Sequence, residues 1–173
     1  MDNLISIQDL RVQEIMAIFS KAKVLKKKPI QTVLKNKTLA MVFQKPSTRT
    51  RVSFDVAMYE LGGHSICLNS GDIQLSRGET IADTARVLSR YVDAIMARVY
   101  SHKDMEELAR NAPVPVINGL SDLLHPCQAL SDIFTIHEKL GSAKGKKIAY
   151  LGNADNNVLN SLLYASSKLG INM

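Results

Sequence analysis

The sequence predicts an α/β fold, a three-layer sandwich in which a parallel sheet is covered by helices on both faces. Short apolar runs alternate with longer segments whose apolar residues recur at helical spacing, in the order βαβαβαβα. The apolar runs are continuous, as is typical of strands that are buried on both faces. The connections between these elements are mostly short, which suits strands and helices that are neighbours in space.

The first predicted element is a helix near the N-terminus, because apolar residues recur there three or four positions apart. They are Val12, Ile15, Met16, Phe19, Ala22 and Leu25. Three lysines and Pro29 occupy positions 26–29 and end this helix. Cations favour the C-terminal end of the helix dipole, and proline interrupts the helical hydrogen bonds.

Strands and helices then follow in turn. The apolar runs that predict strands are Thr38–Phe43, 64–68, Ala94–Arg98 and 114–117. The segments that predict helices are 51–61, 80–90, 102–110 and Pro126–Leu140. Gly62 and Gly63 close the first of these helices, and Asn118 and Gly119 end the last of these strands. A polar loop spans residues 69–78.

The C-terminal part predicts a linker at 141–146, a strand at 147–151 and a helix at 158–169, and residues 171–173 look like the entry to another strand. One strand and one helix cannot bury their own apolar faces. We therefore predict that a second α/β domain begins here and is cut short. Its apolar face, within 147–169, is expected to be covered by a partner chain or by association.

Composition argues against several classes of protein. The chain has 173 residues, 46% of them hydrophobic, yet no apolar stretch reaches membrane-spanning length. Its first residues lack the basic and apolar regions of a signal peptide. Two cysteines, Cys67 and Cys127, are too few for a disulfide framework or a cysteine-rich zinc site. We therefore expect a cytoplasmic protein with no membrane partner.

The net charge of +6 does not by itself predict a nucleic-acid partner. The sequence has no Trp, only 5% aromatic residues, and no motif that interleaves rings with basic residues. Its lysine runs are expected to be solvated surface. The positive balance would still favour the approach of a small anionic substrate.

The most informative segment is 45–51, Lys-Pro-Ser-Thr-Arg-Thr-Arg, which lies between a predicted strand and a predicted helix. Backbone N–H groups and the positive end of the helix dipole meet at such a junction. Ser47, Thr48 and Thr50 add hydroxyl groups, and Arg49 adds a planar guanidinium that suits phosphate. Ser and Thr are also ordinary helix caps, but three hydroxyls and two arginines exceed what one cap requires. The segment predicts a site for a phosphate-sized anion.

Other polar residues follow the remaining predicted strands, where parallel sheets bind ligands. They are Gln74 and Arg77 in the 69–78 loop, Arg98, and the segment 125–128, His-Pro-Cys-Gln. An imidazole can donate to a carbonyl oxygen, and a Gln side chain can both donate to and accept from an amide. Four segments that converge at one edge of the sheet are stronger evidence for a binding site than any single motif.

Each of these candidates has a structural alternative. His125 and Pro126 could simply start a helix, Arg98 could pair with a carboxylate, and Gln74 could be a solvated loop residue. Cys127 could form a nucleophilic pair with His125, although adjacency in sequence does not make the two face each other. A metal site built on this pair would lack two ligands, so we expect no metal.

A turn at 152–157, Gly-Asn-Ala-Asp-Asn-Asn, follows the last predicted strand. It lacks G-x-G-x-x-G, so a dinucleotide site is poorly supported. Its asparagines could bind the carboxylate and ammonium of an amino acid, or they could form a turn with a helix cap.

Taken together, these motifs resemble the aspartate/ornithine carbamoyltransferase family. The resemblance rests on Ser-Thr-Arg-Thr-Arg at 47–51, Asp-Thr-Ala-Arg-Val-Leu-Ser-Arg-Tyr-Val-Asp at 83–93 and His-Pro-Cys-Gln at 125–128, in this order, and it extends from about Leu39 to the last residue. Lys45, the 74–79 loop and the Asn156-Asn157 pair are more similar to the ornithine branch than to the aspartate branch.

The resemblance implies a domain division. Residues 1–140 would be the carbamoyl-phosphate-binding domain, with 126–140 as the interdomain helix. Residues 141–173 would be the truncated start of a Rossmann-like ornithine-binding domain.

The resemblance also implies roles for individual residues. Ser47, Thr48, Arg49 and Thr50 would hold the phosphate of carbamoyl phosphate. Arg98, His125 and Thr50 would polarise the carbamoyl oxygen and Gln128 would orient the carbamoyl amide, so these four would be the catalytic residues. Pro126 and Cys127 would shape the pocket, Asn157 would contact the α-carboxylate of ornithine, and Gln74 would reach the site of an adjacent subunit in a homotrimer.

The implied reaction transfers the carbamoyl group to the δ-amine of ornithine and yields citrulline and phosphate, with no cofactor. The expected partners are thus carbamoyl phosphate and ornithine, and this chain would be mainly the carbamoyl-phosphate-binding half of the enzyme. Three alternatives stay open: aspartate carbamoyltransferase, a catalytically incompetent phosphate-binding or assembly module, and a nucleotide-binding protein.

Overall fold

The computed structural model describes residues 3–71 and 73–173, and it confirms the predicted α/β class. The strands are β1 (Thr38–Phe43), β2 (His64–Asn69), β3 (Ala94–Arg98) and β4 (Val116–Leu120). The α-helices are α1 (Val12–Lys27), α2 (Thr48–Glu60), α3 (Ile81–Leu88), α4 (His102–Asn111), α5 (Pro126–Leu140) and α6 (Asn157–Leu169). Short 3₁₀ turns lie at Ile7–Asp9 and Gln74–Arg77. None of the described helices is long and apolar enough to span a membrane.

The four strands form one parallel sheet in the order β2-β1-β3-β4. Phe43 at the end of β1 is in register with Asn69 of β2 and with Arg98 of β3. The carboxyl ends of these strands therefore meet at one edge. At the side of β4, Leu4 extends the sheet by a single parallel bridge to Ile117.

The sheet is the middle of three layers because its buried side chains alternate between two helical layers. On β1, Leu39 and Met41 pack with Met58 of α2, whereas Ala40 and Val42 pack in the cluster that contains residues of α3 and α4. Alternation of this kind follows from the two-residue period of a strand. The predicted three-layer arrangement is thus confirmed.

A further apolar cluster joins α1, α5 and α6. Phe19, Ile133, Leu162 and Ala165 are all buried in it. The prediction of an exposed apolar face across 147–169 is therefore wrong for the inner side of α6, which packs on α5. Single side chains remain exposed nearby, among them Leu151 and Leu163.

Helix α2 begins at Thr48, three residues before the predicted start at 51. Ser47 has an extended backbone, and its Oγ accepts a hydrogen bond from the N–H of Thr50 at 3.3 Å. This serine cap places Thr48, Arg49 and Thr50 in the first helical turn rather than in a loop.

Strand β4 begins two residues later than the predicted 114–117 and continues through Asn118 and Gly119. The prediction ended the strand at this pair. In the structure Asn118 is fully buried, and its Nδ2 donates to the carbonyl of Ile5 at 3.0 Å. Tertiary contacts therefore keep the pair in the strand.

The predicted strand 147–151 is wrong. Lys147 makes only an isolated parallel bridge to Asn172, and the N–H of Ile148 donates to the carbonyl of Asn172 at 2.8 Å. A strand needs a neighbour along its whole length, and the described residues offer this segment only the short stretch at 171–173.

Candidate functional site

The first turn of α2 lies at the carboxyl edge of the sheet, directly after β1. Ser47 is the helix cap, so the capping alternative is correct for this residue. Thr48 and Arg49 are exposed, and Thr50 is half-buried. The amide hydrogens of a first helical turn have no acceptor within the helix, and the helix dipole favours a negative charge beside them. This turn is therefore suited to bind an anion.

Arg98 ends β3, the strand next to β1, and its guanidinium lies close enough to Arg49 for the two charges to interact. The pKa of Arg98 is lowered, first by burial and then by the positive charge of Arg49. Its Nε is buried and has no hydrogen-bond partner among the described residues. No carboxylate of the described residues lies within ion-pairing distance of either guanidinium. Two neighbouring cations without a counter-charge are the electrostatic arrangement expected of an anion site.

His125 precedes α5 as its cap residue, but its side chain makes no capping hydrogen bond. The Nδ1 atom is buried, and no residue in the described part of the chain forms a hydrogen bond with it. Burial, followed by the positive charge of Arg98, lowers the pKa of His125 from 6.5 to about 4. The imidazole is therefore neutral near pH 7, with one nitrogen that donates and one that accepts.

A cavity of about 180 Å³ connects the start of α2 to the start of α5. It has room for a ligand of a few heavy atoms. Its lining residues come from α2, β4 and α5 and the residue before α5: Arg49, Thr50, Ser53, Phe54, Gly119, His125, Cys127, Gln128 and Ser131. The structure thus brings together the predicted candidates from two separate segments, and Arg98 interacts electrostatically with both.

Four cavity residues were not singled out from the sequence: Ser53, Phe54, Gly119 and Ser131. Ser53 and Phe54 lie three and four positions after Thr50, and Ser131 lies three positions after Gln128. Residues with this spacing share one helix face. Helical spacing counted from each motif could have found these three residues, whereas Gly119 was predicted only to end a strand.

The remaining residues of the segment 125–128 shape the cavity wall. Pro126 is buried in the first turn of α5. The thiol of Cys127 donates to the carbonyl of Asn118 at 3.5 Å, and burial raises its pKa to about 11. The thiol is therefore protonated near neutral pH, which argues against a nucleophilic pair with His125. The Nε2 of Gln128 donates to Asp132 at 2.9 Å, and its second hydrogen remains for a ligand.

Gln74 and Asn157 do not line this cavity. Gln74 is exposed on the 3₁₀ turn after β2. Asn157 is the first residue of α6, and its Nδ2 donates to the carbonyl of Ser121 at 2.7 Å. The second Nδ2 hydrogen of Asn157 remains for another acceptor, such as a carboxylate.

Gln44, which sequence reasoning missed, holds the end of β1 against the end of β3. Its N–H donates to the carbonyl of Arg98 at 2.9 Å, and its Oε1 accepts from the N–H of Tyr100 at 2.8 Å. Its Nε2 donates to Asp104 at 3.2 Å. Nothing in the sequence separates this Gln from a surface residue, because its partners are distant along the chain.

The described residues contain no group of three or more His, Cys, Asp or Glu side chains that could hold a metal ion. The guanidiniums, the imidazole and the amide hydrogens of the site can form hydrogen bonds to an anion and stabilise its charge.

A family model described as the carbamoyl-P binding domain of aspartate/ornithine carbamoyltransferase matches residues 2–138. The chain is 62% identical over 173 residues to an ornithine carbamoyltransferase of Pyrococcus abyssi, a match that covers 97% of this chain and 54% of that protein. It is 52% identical to an ornithine carbamoyltransferase of Bacillus subtilis, covering 97% of this chain and 52% of that protein.

The chain is also similar to solved structures of carbamoyltransferases. The ornithine carbamoyltransferase of Pyrococcus furiosus superposes with a TM-score of 0.94 at 60% identity, over 98% of this chain and 56% of that one. The catalytic subunit of M. jannaschii aspartate transcarbamoylase superposes with a TM-score of 0.88 at 37% identity, over 98% of this chain and 57% of that one. The chain thus spans about half the length of the relatives it matches.

Proposed function

The chain belongs to the aspartate/ornithine carbamoyltransferase family, and we propose that it supplies the carbamoyl-phosphate-binding half of an ornithine carbamoyltransferase. The reaction moves the carbamoyl group of carbamoyl phosphate to the δ-amine of ornithine and releases citrulline and phosphate. The observation that carries this proposal is the pair of guanidiniums, Arg49 and Arg98, which have no described carboxylate partner and interact electrostatically beside a helix N-terminus and a neutral imidazole.

In this proposal the start of α2 holds the phosphate group. Ser47, Thr48 and Thr50 offer hydroxyl donors, Arg49 offers a guanidinium, and the first helical turn offers its amide hydrogens. As phosphate leaves, the negative charge that develops on the bridging oxygen lies beside these donors. The same groups therefore bind the substrate and stabilise the leaving group.

Arg98, His125 and Thr50 act on the carbamoyl oxygen. The δ-amine attacks the carbamoyl carbon, and a tetrahedral oxyanion develops on that oxygen. Because His125 is neutral, it can donate an N–H to the oxyanion without bringing a second positive charge to Arg98. An aligned donor at such a position is worth about 3–4 kcal/mol. Gln128 orients the carbamoyl amide with the Nε2 hydrogen that Asp132 leaves unused.

For the second substrate, the proposal assigns the α-carboxylate of ornithine to the second Nδ2 hydrogen of Asn157. The names of the relatives at 62% identity support ornithine over aspartate as the acceptor. Gln74, which is exposed and outside the cavity, is assigned to the site of a neighbouring subunit in a homotrimer. A cytoplasmic location is proposed from the free thiols of Cys67 and Cys127.

The phosphate site is tested by titrating the chain with inorganic phosphate and with carbamoyl phosphate in a calorimeter. Arg49→Ala should weaken binding of both about 10- to 100-fold, because a charged hydrogen-bond donor is lost. Arg51→Ala is the matched control, since Arg51 is exposed two positions further along the same helix and does not line the cavity. Equal affinities in the two variants would overturn the proposed phosphate site.

The acceptor is tested by adding ornithine or aspartate with carbamoyl phosphate and measuring citrulline or carbamoylaspartate. Citrulline alone is the expected product. Carbamoylaspartate would assign the chain to the aspartate branch. Phosphate binding with neither product would favour the alternative of a binding or assembly module.

A further inference from the structure

The loop 121–125, which carries His125, is tied to one face of α6 by three side chains. Asn157 Nδ2 donates to the carbonyl of Ser121 at 2.7 Å, and Asn160 Nδ2 donates to the carbonyl of Leu123 at 3.1 Å. Ser161 Oγ accepts from the N–H of His125 at 2.8 Å. The three side chains are spaced i, i+3 and i+4, so they lie on one helix face. We call them the α6 clamp.

Ser161 is the member of the clamp that reaches His125 itself. It is 1% exposed, and its hydroxyl donates back to the carbonyl of Asn157 at 2.9 Å. Both its donor and its acceptor capacities are therefore used. Removing the hydroxyl would leave the N–H of His125 without its acceptor in a partly buried position, which is costly.

Besides the contact with Ser161, the carbonyl of His125 accepts a hydrogen bond from the N–H of Ala129 at 3.2 Å at the start of α5. The φ and ψ of His125, −138° and 71°, are not helical, so the regular pattern of α5 does not fix them. Helix α4 holds the other end of the loop: His102 Nδ1 lies 2.8 Å from Ser121 Oγ, and the N–H of His102 donates to Asp122 at 2.7 Å. Neither contact reaches His125. Ser161 is thus the contact from outside α5 that holds the backbone N–H of His125.

We propose that Ser161 is a positioning residue for carbamoyl transfer, which holds the backbone of His125 so that its imidazole faces the Arg49–Arg98 anion site. The catalytic role of the imidazole rests on the proposed function. The hydrogen bonds of the α6 clamp do not depend on that function. Asn157 belongs to the same clamp, and one of its Nδ2 hydrogens is free for the α-carboxylate of ornithine. Contact with the second substrate would therefore act on the loop that carries His125.

Amide hydrogen exchange of the His125 N–H, measured by NMR on the unliganded chain, tests the clamp directly. Ser161→Ala should accelerate this exchange about tenfold, because the acceptor is lost. Ser166→Ala is the matched control: Ser166 is also a buried serine of α6, but its Oγ donates to Met173 Sδ at 3.7 Å and not to the loop 121–125. Unchanged exchange at His125 in Ser161→Ala would overturn the proposal.

A second readout separates positioning from general destabilisation. In Ser161→Ala the imidazole of His125 should titrate closer to its ordinary range, because the ring moves away from Arg98 and towards solvent, and phosphate affinity should fall about three- to tenfold. Ser166→Ala should leave both values as in the wild type. Wild-type values in Ser161→Ala would count against a positioning role.

Asn160→Ala gives a variant at a less buried position, for the case in which Ser161→Ala does not fold. It releases Leu123 and should accelerate exchange at His125 by about threefold, whereas no acceleration would contradict the clamp. If neither the wild type nor any variant binds phosphate, the proposed function fails. The exchange rates of His125 still decide whether the clamp exists.

Discussion

At the scale of single residues, the site combines a buried imidazole with a guanidinium that has no described carboxylate partner. Burial and the charge of Arg98 both disfavour a proton on His125 and lower its pKa to about 4. An unfolded chain would take up this proton near pH 6.5. As the pH falls from 6.5 towards 4, the unfolded state therefore binds a proton that the folded state rejects. The stability that this residue contributes is complete above pH 6.5 and is lost across that interval.

We expect His125→Gln to flatten the loss of stability between pH 6.5 and pH 4, because the variant no longer has an imidazole to protonate on unfolding. The measurement is the free energy of unfolding by urea at several pH values. His64→Gln, which replaces an exposed histidine at the start of β2, controls for the loss of an imidazole. Parallel pH profiles for His125→Gln and the wild type would contradict a neutral His125.

At the scale of secondary structure, β4 shows why a Gly in the middle of a strand is required. A Cβ on Gly119 would lie 2.5 Å from Met96 Sδ and 3.1 Å from the carbonyl of Ala97. Met96 is fully buried, so its side chain has little room to move. The residue also lines the candidate cavity. Gly119 thus allows β3 and β4 to approach each other next to the site.

Gly119→Ala should lower the free energy of unfolding by about 1–3 kcal/mol through overpacking of Met96. The measurement is urea unfolding followed by circular dichroism. Gly71→Ala is the control, because a Cβ at Gly71 would meet nothing within 4 Å. A Gly119→Ala variant as stable as the control would show that the strands can separate at little cost.

Strand β4 is also an example of a part of the fold that the sequence could not predict, whereas other elements were predicted correctly. The bounds Thr38–Phe43, Ala94–Arg98 and Pro126–Leu140 are confirmed to the residue, because continuous apolar runs and a first-turn proline are local signals. β4 was misplaced because only tertiary contacts distinguish a buried Asn118-Gly119 from a turn. The segment 147–151 had the local pattern of a strand but lacks a full-length neighbour among the described residues.

For the candidate site, the sequence predicted which segments contribute to it but not which side chains of their helices face the cavity. The rule that ligands bind at the carboxyl ends of parallel strands brought 47–50, Arg98 and 125–128 to one edge, as the structure places them. Which side chains of α2 and α5 face the cavity depends on helix rotation, so Ser53 and Ser131 were missed. The roles of these residues, and of Gln74 and Asn157, stay predictions that the experiments above address.

At the scale of the whole molecule, one side of the sheet carries an exposed apolar surface next to the anion site. Val52, Val56 and Tyr59 repeat along the outer face of α2 and are 54%, 47% and 79% exposed. The edge strand β2 lies beside α2, but its exposed Ile66 is in register with Ala40 and so belongs to the other face of the sheet. Edge strands and contiguous apolar patches are where chains associate. We call Val52, Val56 and Tyr59, which lie beside the edge strand β2, the α2–β2 surface.

The α2–β2 surface is the face that we expect subunits of the proposed homotrimer to share. A groove along α2 connects Val52 and Val56 to Arg49, so a neighbouring chain seated there would border the phosphate site. Val56→Asp places a charge in this contact and should convert trimers to monomers in sedimentation velocity, because a carboxylate buried without a partner is costly.

Val24→Asp is the matched control for this charge, since Val24 is 59% exposed on α1 and is not part of the α2–β2 surface. The control should sediment as the wild type does. Loss of the trimer in both variants would indicate a general effect of added negative charge. A wild-type chain that sediments as a monomer at every concentration would contradict the proposed homotrimer. Val56→Asp could be monomeric and still bind phosphate as tightly as the wild type. In that case one chain contains the complete phosphate site. A neighbouring subunit is then needed only for the contacts that Gln74 supplies.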